Sequence, residues 1–385
     1  MKKLTRILSY VVVAALASCI TMATVSQDNT PVSVKKLVQL EQMLSEKFIG
    51  ESDRTKLTDA AADAMVAALG DRWSYYIPAD EYNDYLDRMA NSYVGIGITI
   101  TPAEDGSGVE VIQVAVGGPA EEAGIHVGDI LIAVEGQTIA GMDTDTVKSM
   151  VIGDEGTFVN LTFLRLGKEW DFTVERRRVE TPVATGELLE NGMGLITIVN
   201  FDSRCAKETI AQIDDLLAKG ATALIFDVRF NPGGYADELV KVLDHILPEG
   251  DLFRTVDFRG KQAVDTSDDK CIQGVPMAVL VNSESYSAAE FFAAALREYE
   301  YAIVVGEQTV GKSYFQQTYK LQDGSAVGLS VGKYETPKGV SLAEEGGLTP
   351  DILISVTEEE AFEIYAGTMD PMKDPQILAA MKALQ

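Results

Sequence analysis

The first chemically suggestive feature of the sequence is a serine at a predicted junction between a strand and a helix. Ser287 lies between a predicted strand over 278–282 and a helical pattern that begins at Ala288. A hydroxyl at such a junction is exposed near the positive end of the helix dipole, and the Ala288 N–H is free to donate to an oxyanion. Ser287 is therefore a candidate nucleophile. The simpler interpretation is a helix N-cap, the commonest role of serine before a helix.

A nucleophilic serine needs a base, and the sequence offers almost no histidine. His126 and His245 are the only histidines among the 385 residues, which argues against a histidine-based triad and against a histidine-rich metal site. We expect both to be structural or exposed. A buried lysine is the alternative base, because burial lowers the pKa of the amine and Ser–Lys pairs are a known variant of the triad. Lys312 is the candidate, although an isolated lysine is more often a solvated surface residue.

Lys312 also lies in a segment that satisfies a nucleotide-binding pattern. Residues 306–313 fit G-x-x-x-x-G-K-[ST] and follow a predicted strand. A phosphate-binding loop must open a helix, whereas residues 314–321 are aromatic and typical of a strand, with a turn at Asp323-Gly324. We therefore predict a hairpin and reject the P-loop interpretation.

Four segments of the C-terminal half resemble the carboxyl-terminal processing peptidases. They are Ser285-Tyr-Ser-Ala-Ala-Glu290, Val304-Val-Gly-Glu-Gln-Thr-Val-Gly-Lys-Ser-Tyr-Phe-Gln316, Tyr334-Glu-Thr-Pro-Lys-Gly339 and Gly347-Leu-Thr-Pro-Asp351. The resemblance implies that Ser287 is the nucleophile, that Lys312 is the general base and that Gln316 positions the lysine amine. Tyr286, in place of a small residue, and Ser313, in place of a common glycine, depart from the family pattern. Four residues of straight strand span about 13 Å, so Gln316 meets the amine only if the chain bends or the lysine leans back.

A further segment, residues 227–234, matches the D-x-R-x-N-x-G-G loop of the same family. By this resemblance a backbone N–H of Gly233 or Gly234 completes the oxyanion hole with that of Ala288. The alternative is that both are only turn glycines. The family implies an acyl-enzyme mechanism without a metal or organic cofactor.

The elements that must position these residues alternate along residues 179–385. Continuous apolar strands are separated by amphipathic helices, which predicts an α/β peptidase core with a parallel-rich sheet and crossover helices. The predicted strands are 195–201, 222–228, 277–281 and 302–305, and the predicted helices are 206–219, 236–247 and 288–300.

Residues 92–178 have short alternating strands punctuated by glycine and proline, which predicts an inserted β-rich domain. The run Gly118-Pro-Ala-Glu-Glu-Ala-Gly124, with Gly128-Asp129 after it, resembles a PDZ domain of the bacterial type. That resemblance implies that peptide C-termini add to the sheet edge as an extra strand. The predicted contacts for the tail are Val94, Gly95, Ile96, Gly97, Ile98 and, from the helix at 143–150, Val147. The alternative is a small barrel with turn glycines only.

The chain begins with a basic region and an apolar run of export-signal length. Residues 1–25 predict a signal peptide, a lipid anchor at Cys19 or one retained membrane anchor over 7–25. Residues 30–91 have apolar positions at helical spacing and predict an N-terminal helical segment. The chain is therefore expected to be exported, to the cell envelope or beyond.

The charge of the sequence limits its partners. The formal net charge is −27, and removing the first 27 residues, which hold three basic and no acidic residues, would leave −30. Such a surface repels phosphate backbones, so nucleic-acid binding is not expected. Cys205 and Cys271 could pair outside the cytoplasm, or either could simply be buried.

Together these features predict an extracytoplasmic serine endopeptidase that cleaves proteins near their C-termini and binds substrates with free apolar tails. The alternative function is a catalytically silent PDZ scaffold, because a fold alone does not guarantee activity. The sequence leaves open the physiological substrate, an activating partner and whether the chain forms a homo-oligomer.

Overall fold

The computed structural model describes residues 32–385, and the described chain falls into two compact units that divide at Gly70. The predicted export signal and its alternatives lie outside the described residues. Within residues 32–385, no helix is long and apolar enough to cross a membrane.

The described part of the first unit, residues 32–70, has two helices, α1 (Val32–Lys47) and α2 (Arg54–Ala67). Asp53 caps α2, since its side chain accepts hydrogen bonds from the Thr55 and Lys56 N–H groups. A further helix within the predicted helical segment, α3 (Tyr82–Met89), belongs to the second unit. The boundary between the units therefore falls earlier than the predicted end of the helical segment at residue 91.

The sheet that carries the candidate nucleophile is largely parallel. Its order is β10-β11-β12-β15-β16-β19, with only the first pair antiparallel. The strands are β10 (Ala184–Leu188), β11 (Gly194–Ile198), β12 (Leu224–Asp227), β15 (Met277–Val281), β16 (Ala302–Gly306) and β19 (Ile352–Leu353). The helices are α6 (Cys205–Ala218), α7 (Ala236–Ile246), α8 (Ala288–Glu298), α9 (Glu358–Tyr365) and α10 (Pro375–Ala383).

Both faces of this sheet are covered, which explains the continuous apolar strands in the sequence. Leu224 and Phe226 pack into the core that includes α6, α7 and α8, whereas Ile225 packs on the opposite face with Ile377 of α10. The central strands β12 and β15 are buried along their whole length.

A second sheet in the core is antiparallel, and the prediction of a parallel-rich core is confirmed only for the first sheet. Its order is β1-β18-β13-β14, with β17 paired to β18. The strands are β1 (Tyr75–Ile77), β13 (Gly250–Asp257), β14 (Gln262–Ser267), β17 (Tyr314–Lys320) and β18 (Ala326–Glu335). The predicted hairpin is confirmed, because β17 and β18 pair where a P-loop would require a helix.

The inserted domain is β-rich, as predicted, and the strands of its main sheet pair antiparallel. Its main sheet has the order β3-β4-β5-β7-β8, with β6 paired to β5. The elements are β3 (Ile98–Pro102), β4 (Val109–Val114), α4 (Pro119–Ala123), β5 (Ile130–Val134), β6 (Gln137–Thr138), α5 (Thr144–Val151), β7 (Phe158–Arg165) and β8 (Lys168–Glu175). The chain enters and leaves the domain through an antiparallel pair, β2 (Ser92–Gly95) and β9 (Arg177–Glu180).

The two cysteines of the described chain do not pair. Cys205 is buried and its Sγ lies 3.7 Å from Thr209 Oγ1, whereas Cys271 is partly exposed. Of the two alternatives, the structure favours separate thiols.

Candidate active site

Ser287 lies at the turn between β15 and α8, as its position in the sequence predicts. Its φ is +59° and its ψ is −128°, a conformation that residues with side chains rarely adopt. Neighbouring contacts hold this turn: Ser285 Oγ donates to the Val228 carbonyl at 2.7 Å, and the Tyr286 N–H donates to the Asn231 carbonyl at 3.1 Å. The strained turn is thus anchored to the loop that follows β12.

The hydroxyl of Ser287 is hydrogen bonded to a tyrosine whose role the sequence motifs do not indicate. Ser287 Oγ and Tyr334 Oη lie 2.7 Å apart, and both residues are buried. The Tyr334 ring packs against Phe291, Phe253 and Phe315, with the Phe291 centroid 4.6 Å away. Burial raises the pKa of Tyr334, so its phenol stays protonated.

The amine of Lys312 lies against two aromatic rings. Lys312 Nζ is 4.8 Å from the ring centroid of Trp73 and 5.6 Å from that of Tyr286. Burial lowers the pKa of Lys312 to about 8, while the negative charges of Glu290 and Asp71 act in the opposite direction. At pH 7 about a tenth of an amine with this pKa is neutral, which is the form that a general base requires.

The backbones of Ser287 and Lys312 are joined through one side chain. Glu290 Oε2 accepts hydrogen bonds from the N–H groups of Ser287 and Lys312, both at 2.9 Å. The side chains of the two residues have other partners: within residues 32–385, Ser287 Oγ bonds to Tyr334, and Lys312 Nζ has no hydrogen bond.

Gln316 directly follows a bend in strand β17. A bend between Lys312 and Gln316 is one of the two ways in which Gln316 could approach the lysine amine. The β17–β18 register shifts between Phe315 and Gln316. Gln316 Nε2 donates to the Tyr314 carbonyl at 3.1 Å and to Ser330 Oγ at 3.0 Å. The structure does not bring Gln316 into hydrogen-bond contact with the Lys312 amine.

The glycine loop after β12 packs directly on the Ser287 turn. Gly233 has φ +89°, and a Cβ there would lie 2.7 Å from Ser287 Cβ and 2.8 Å from the Ala288 nitrogen. The Gly233 N–H donates to Asn231 Oδ1 at 2.8 Å, whereas the Gly234 N–H has no hydrogen-bond acceptor among the described residues. Gly234 and Ala288 thus keep N–H groups available near the serine.

A buried ionic cluster anchors the start of this loop. Arg229 Nη1 donates to Asp374 Oδ2 at 2.7 Å and to Gln376 Oε1 at 2.9 Å, and its Nε and Nη2 donate to Asp227. The loop is therefore tied to the N-terminus of α10, a contact that local sequence patterns do not indicate.

The predicted peptide-binding residues of the PDZ-like domain lie around the start of β3. Ile96 and Val147 are 2% and 0% exposed and belong to the core of the domain, with Ile98 packed against them. Val94 and Gly95 pair with β9 instead of lining a free edge, and Gly97 has φ +81°. Ile96 and Val147 are thus core side chains in this structure, and their predicted contact with a bound tail stays a prediction.

Three residues of the site were missed by sequence reasoning or given no role. Glu290 and Tyr334 fall within the segments that carry the family resemblance, so their position in those motifs was an available signal. Trp73 lies far from the other site residues in sequence, and no local pattern connects it to Lys312.

Comparisons with known proteins identify relatives of this chain in sequence and in fold. The sequence model of peptidase family S41 matches residues 192–354, and a PDZ domain model matches residues 110–165. The carboxy-terminal processing protease CtpA of Bacillus subtilis is 31% identical over 313 residues, which cover 81% of this chain and 67% of that protein. A Staphylococcus epidermidis protein described as a probable CtpA-like serine protease is 31% identical over 335 residues, which cover 86% of this chain and 67% of that protein. The structure of a Bacteroides fragilis protein assigned to the S41 proteases superposes with a TM-score of 0.54 at 16% identity, covering 90% of this chain and 96% of that one.

Proposed function

The chain belongs to peptidase family S41, and from that membership we propose that it is a carboxy-terminal processing serine endopeptidase with Ser287 as its nucleophile and Lys312 as its general base. The observation that carries the residue assignment is the half-buried Lys312 amine, with a pKa near 8, whose backbone is joined through Glu290 to that of Ser287.

In the proposed acylation step, Ser287 Oγ attacks the carbonyl carbon of the scissile peptide bond and Lys312 Nζ takes the hydroxyl proton. The C–N bond then breaks, and Lys312 gives that proton to the leaving amine. In deacylation, a water molecule loses its proton to Lys312 and attacks the ester, and the proton returns to Ser287 Oγ. Gln316 Oε1 is the acceptor we propose for orienting the lysine amine.

The oxyanion formed in each step would be held by backbone N–H groups. We assign this role to Ala288 and Gly234, because the Gly233 N–H is already bonded to Asn231. Gly233 instead allows the loop to approach the serine, since any side chain there would collide with Ser287.

The productive Ser–Lys contact requires side-chain rotation from the arrangement described here. Ser287 Oγ must leave Tyr334, and Lys312 Nζ must leave the faces of Trp73 and Tyr286. Glu290 already holds the backbone N–H groups of the two residues on one oxygen, so their backbones lie close together before these movements.

The PDZ domain is proposed to bind substrate tails with a free C-terminal carboxylate. Strand β3 lies at the edge of its sheet and pairs with β4 on one side only. An extended tail could add along that edge through main-chain hydrogen bonds. Because Ile96 and Val147 are buried, an apolar terminal side chain would enter only if α5 and β3 separate. The export signal predicted over residues 1–25 would place these substrates outside the cytoplasm.

Hydrolysis of β-casein by the purified protein tests the proposal against the alternative of a silent PDZ scaffold. The proposal predicts cleavage in buffer containing EDTA, and loss of cleavage in Ser287→Ala and in Lys312→Ala. The double variant should be no slower than either single variant, because residues that act as one unit are not additive. An intact substrate after prolonged incubation with the wild type would favour the scaffold.

A further inference from the structure

Glu290 is a completely buried carboxylate in the first turn of α8, and all of its hydrogen-bond partners are donors. Oε2 accepts from the Ser287 and Lys312 N–H groups, both at 2.9 Å. Oε1 accepts from the Gly311 N–H at 2.6 Å and from Thr309 Oγ1 at 2.5 Å. Thr309 Oγ1 itself accepts from the Leu348 N–H, which leaves its own proton for Glu290. Burial raises the pKa of Glu290, and the hydrogen bonds from these donors act in the opposite direction. Four donors and no acceptor fit an ionised carboxylate, which only accepts.

The position of this charge is specific to the reacting pair. An ionised group inside a protein is tolerated when hydrogen bonds replace its lost water, and here those bonds come from two separate segments. One segment carries Ser287 and the other carries Lys312. Because both N–H groups bond to the same oxygen atom, their nitrogens can be no further apart than the two bonds laid end to end. A shift of either segment would break one of these bonds.

We propose that Glu290 is a positioning residue for the Ser287–Lys312 pair, fixing the separation of their backbones and placing a negative charge beside the lysine amine. This inference rests on the proposed function. It assigns Glu290 two separable effects, one on geometry and one on charge.

The effect on charge has a defined sign. The groups that face Lys312 Nζ are Glu290 from α8, Asp71 from the segment before β1, and the rings of Tyr286 and Trp73. A negative charge favours the ammonium form of the lysine, so removing the charge of Glu290 lowers the pKa of Lys312 further below its ordinary value. The pH at which kcat/KM is half-maximal should then move to lower pH.

Two substitutions separate the effects. Glu290→Gln removes the charge and replaces one acceptor oxygen with an NH2 group, which cannot accept from an N–H. We expect kcat/KM per active site to fall by at least about tenfold, because misplacing reacting groups by an ångström costs up to roughly 10²-fold. In Glu290→Gln, the pH at which kcat/KM is half-maximal should shift downward. Glu290→Asp keeps the charge but is one methylene shorter, so we expect a similar loss of kcat/KM with an unchanged midpoint.

Glu238→Gln is the matched control. Glu238 is likewise a buried glutamate in the first turn of a helix, α7, and accepts a hydrogen bond from the Ala206 N–H at 2.8 Å, away from the site. This variant should lose thermal stability without any change in pH midpoint. Active sites are counted by titration with a fluorophosphonate, so partial unfolding lowers the count but does not move the midpoint.

The outcomes separate this inference from the function on which it rests. Wild-type kcat/KM in Glu290→Gln, an unmoved midpoint, or an equal shift in Glu238→Gln would overturn the role of Glu290. If Glu290→Gln does not fold, the test rests on Glu290→Asp. A wild-type kcat/KM in Glu290→Asp, or a shift in the pH midpoint of its kcat/KM, would then overturn the proposal. Retained hydrolysis in Lys312→Ala would instead overturn the proposed function, whatever the Glu290 variants do.

Discussion

The hydroxyl oxygens of Ser287 and Tyr334 lie 2.7 Å apart, so the candidate nucleophile is hydrogen bonded to a buried phenol and not to its candidate base. Tyr334 is held by the aromatic rings around it, and its hydroxyl has no other hydrogen-bond partner among the described residues. Under the proposed function, Ser287 Oγ must turn from Tyr334 toward Lys312 before it reacts.

Tyr334→Phe should therefore increase the reactivity of Ser287 toward a small acylating probe. A neutral hydrogen bond contributes about 0.5–1.5 kcal/mol, which corresponds to roughly a 2- to 13-fold rise in the second-order labelling rate. The measurement is fluorophosphonate labelling followed over time. Tyr319→Phe, which removes an exposed hydroxyl bonded to Gln317, is the control and should label as the wild type does. A slower reaction in Tyr334→Phe would mean that the phenol orients the serine productively.

The pH dependence of peptide hydrolysis should follow Lys312. Because burial lowers the pKa of this amine to about 8, the protonated form dominates below that pH and cannot accept the serine proton. We expect kcat/KM to fall about tenfold for each pH unit below the midpoint and to level off above it. A profile that is flat between pH 6 and pH 9 would exclude a base that titrates near 8.

Gly233→Ala should disable the site through a steric effect on Ser287. The new Cβ would lie 2.7 Å from Ser287 Cβ at a φ of +89°, so the turn must shift. A displacement of about 1 Å can cost roughly 10²-fold in kcat/KM. Gly260→Ala is the matched control, because Gly260 also has a positive φ, +77°, but open space around it. Comparable activity in the two variants would show that activity does not depend on the close approach of the Gly233 backbone to Ser287.

Amidating the C-terminus of a peptide substrate should weaken its capture. The change removes the negative charge from the tail, and a hydrogen bond to a charged group contributes about 1.5–3 kcal/mol, or roughly 10- to 150-fold in affinity. The measurement compares kcat/KM for free and amidated peptides of equal length at low substrate concentration. Equal values would assign the PDZ domain a role other than tail recognition.

The sequence predicted those parts of the fold that depend on local pattern. The strand at 277–281 and the turn into the helix at Ala288 were predicted because an apolar run and a helical period meet there. The hairpin at 314–335 was predicted from its aromatic residues and its turn. The β14 strand was missed because its side chains are mostly exposed and polar, which gives no apolar signal.

The parts of the site that sequence could not predict depend on long-range packing. Trp73 reaches Lys312 only because β1 pairs with β18, and these strands are separated by most of the chain. Ile96 and Val147 belong to one hydrophobic core although they lie far apart in the sequence, so their burial follows from packing that a local pattern does not show. Spacing alone likewise could not show that the Gly233 N–H donates a hydrogen bond to the Asn231 side chain.

The central claim, that Lys312 activates Ser287, is tested most directly by mapping and timing covalent modification of the purified protein. Wild type, Lys312→Ala and Lys312→Arg are treated with a fluorophosphonate across a range of pH, and the adduct is located by peptide mass spectrometry. The account predicts one adduct on Ser287, a rate that rises with a midpoint near pH 8, and near-complete loss in both variants, because guanidinium does not deprotonate. An adduct on another residue, or labelling of either variant at the wild-type rate, would contradict it.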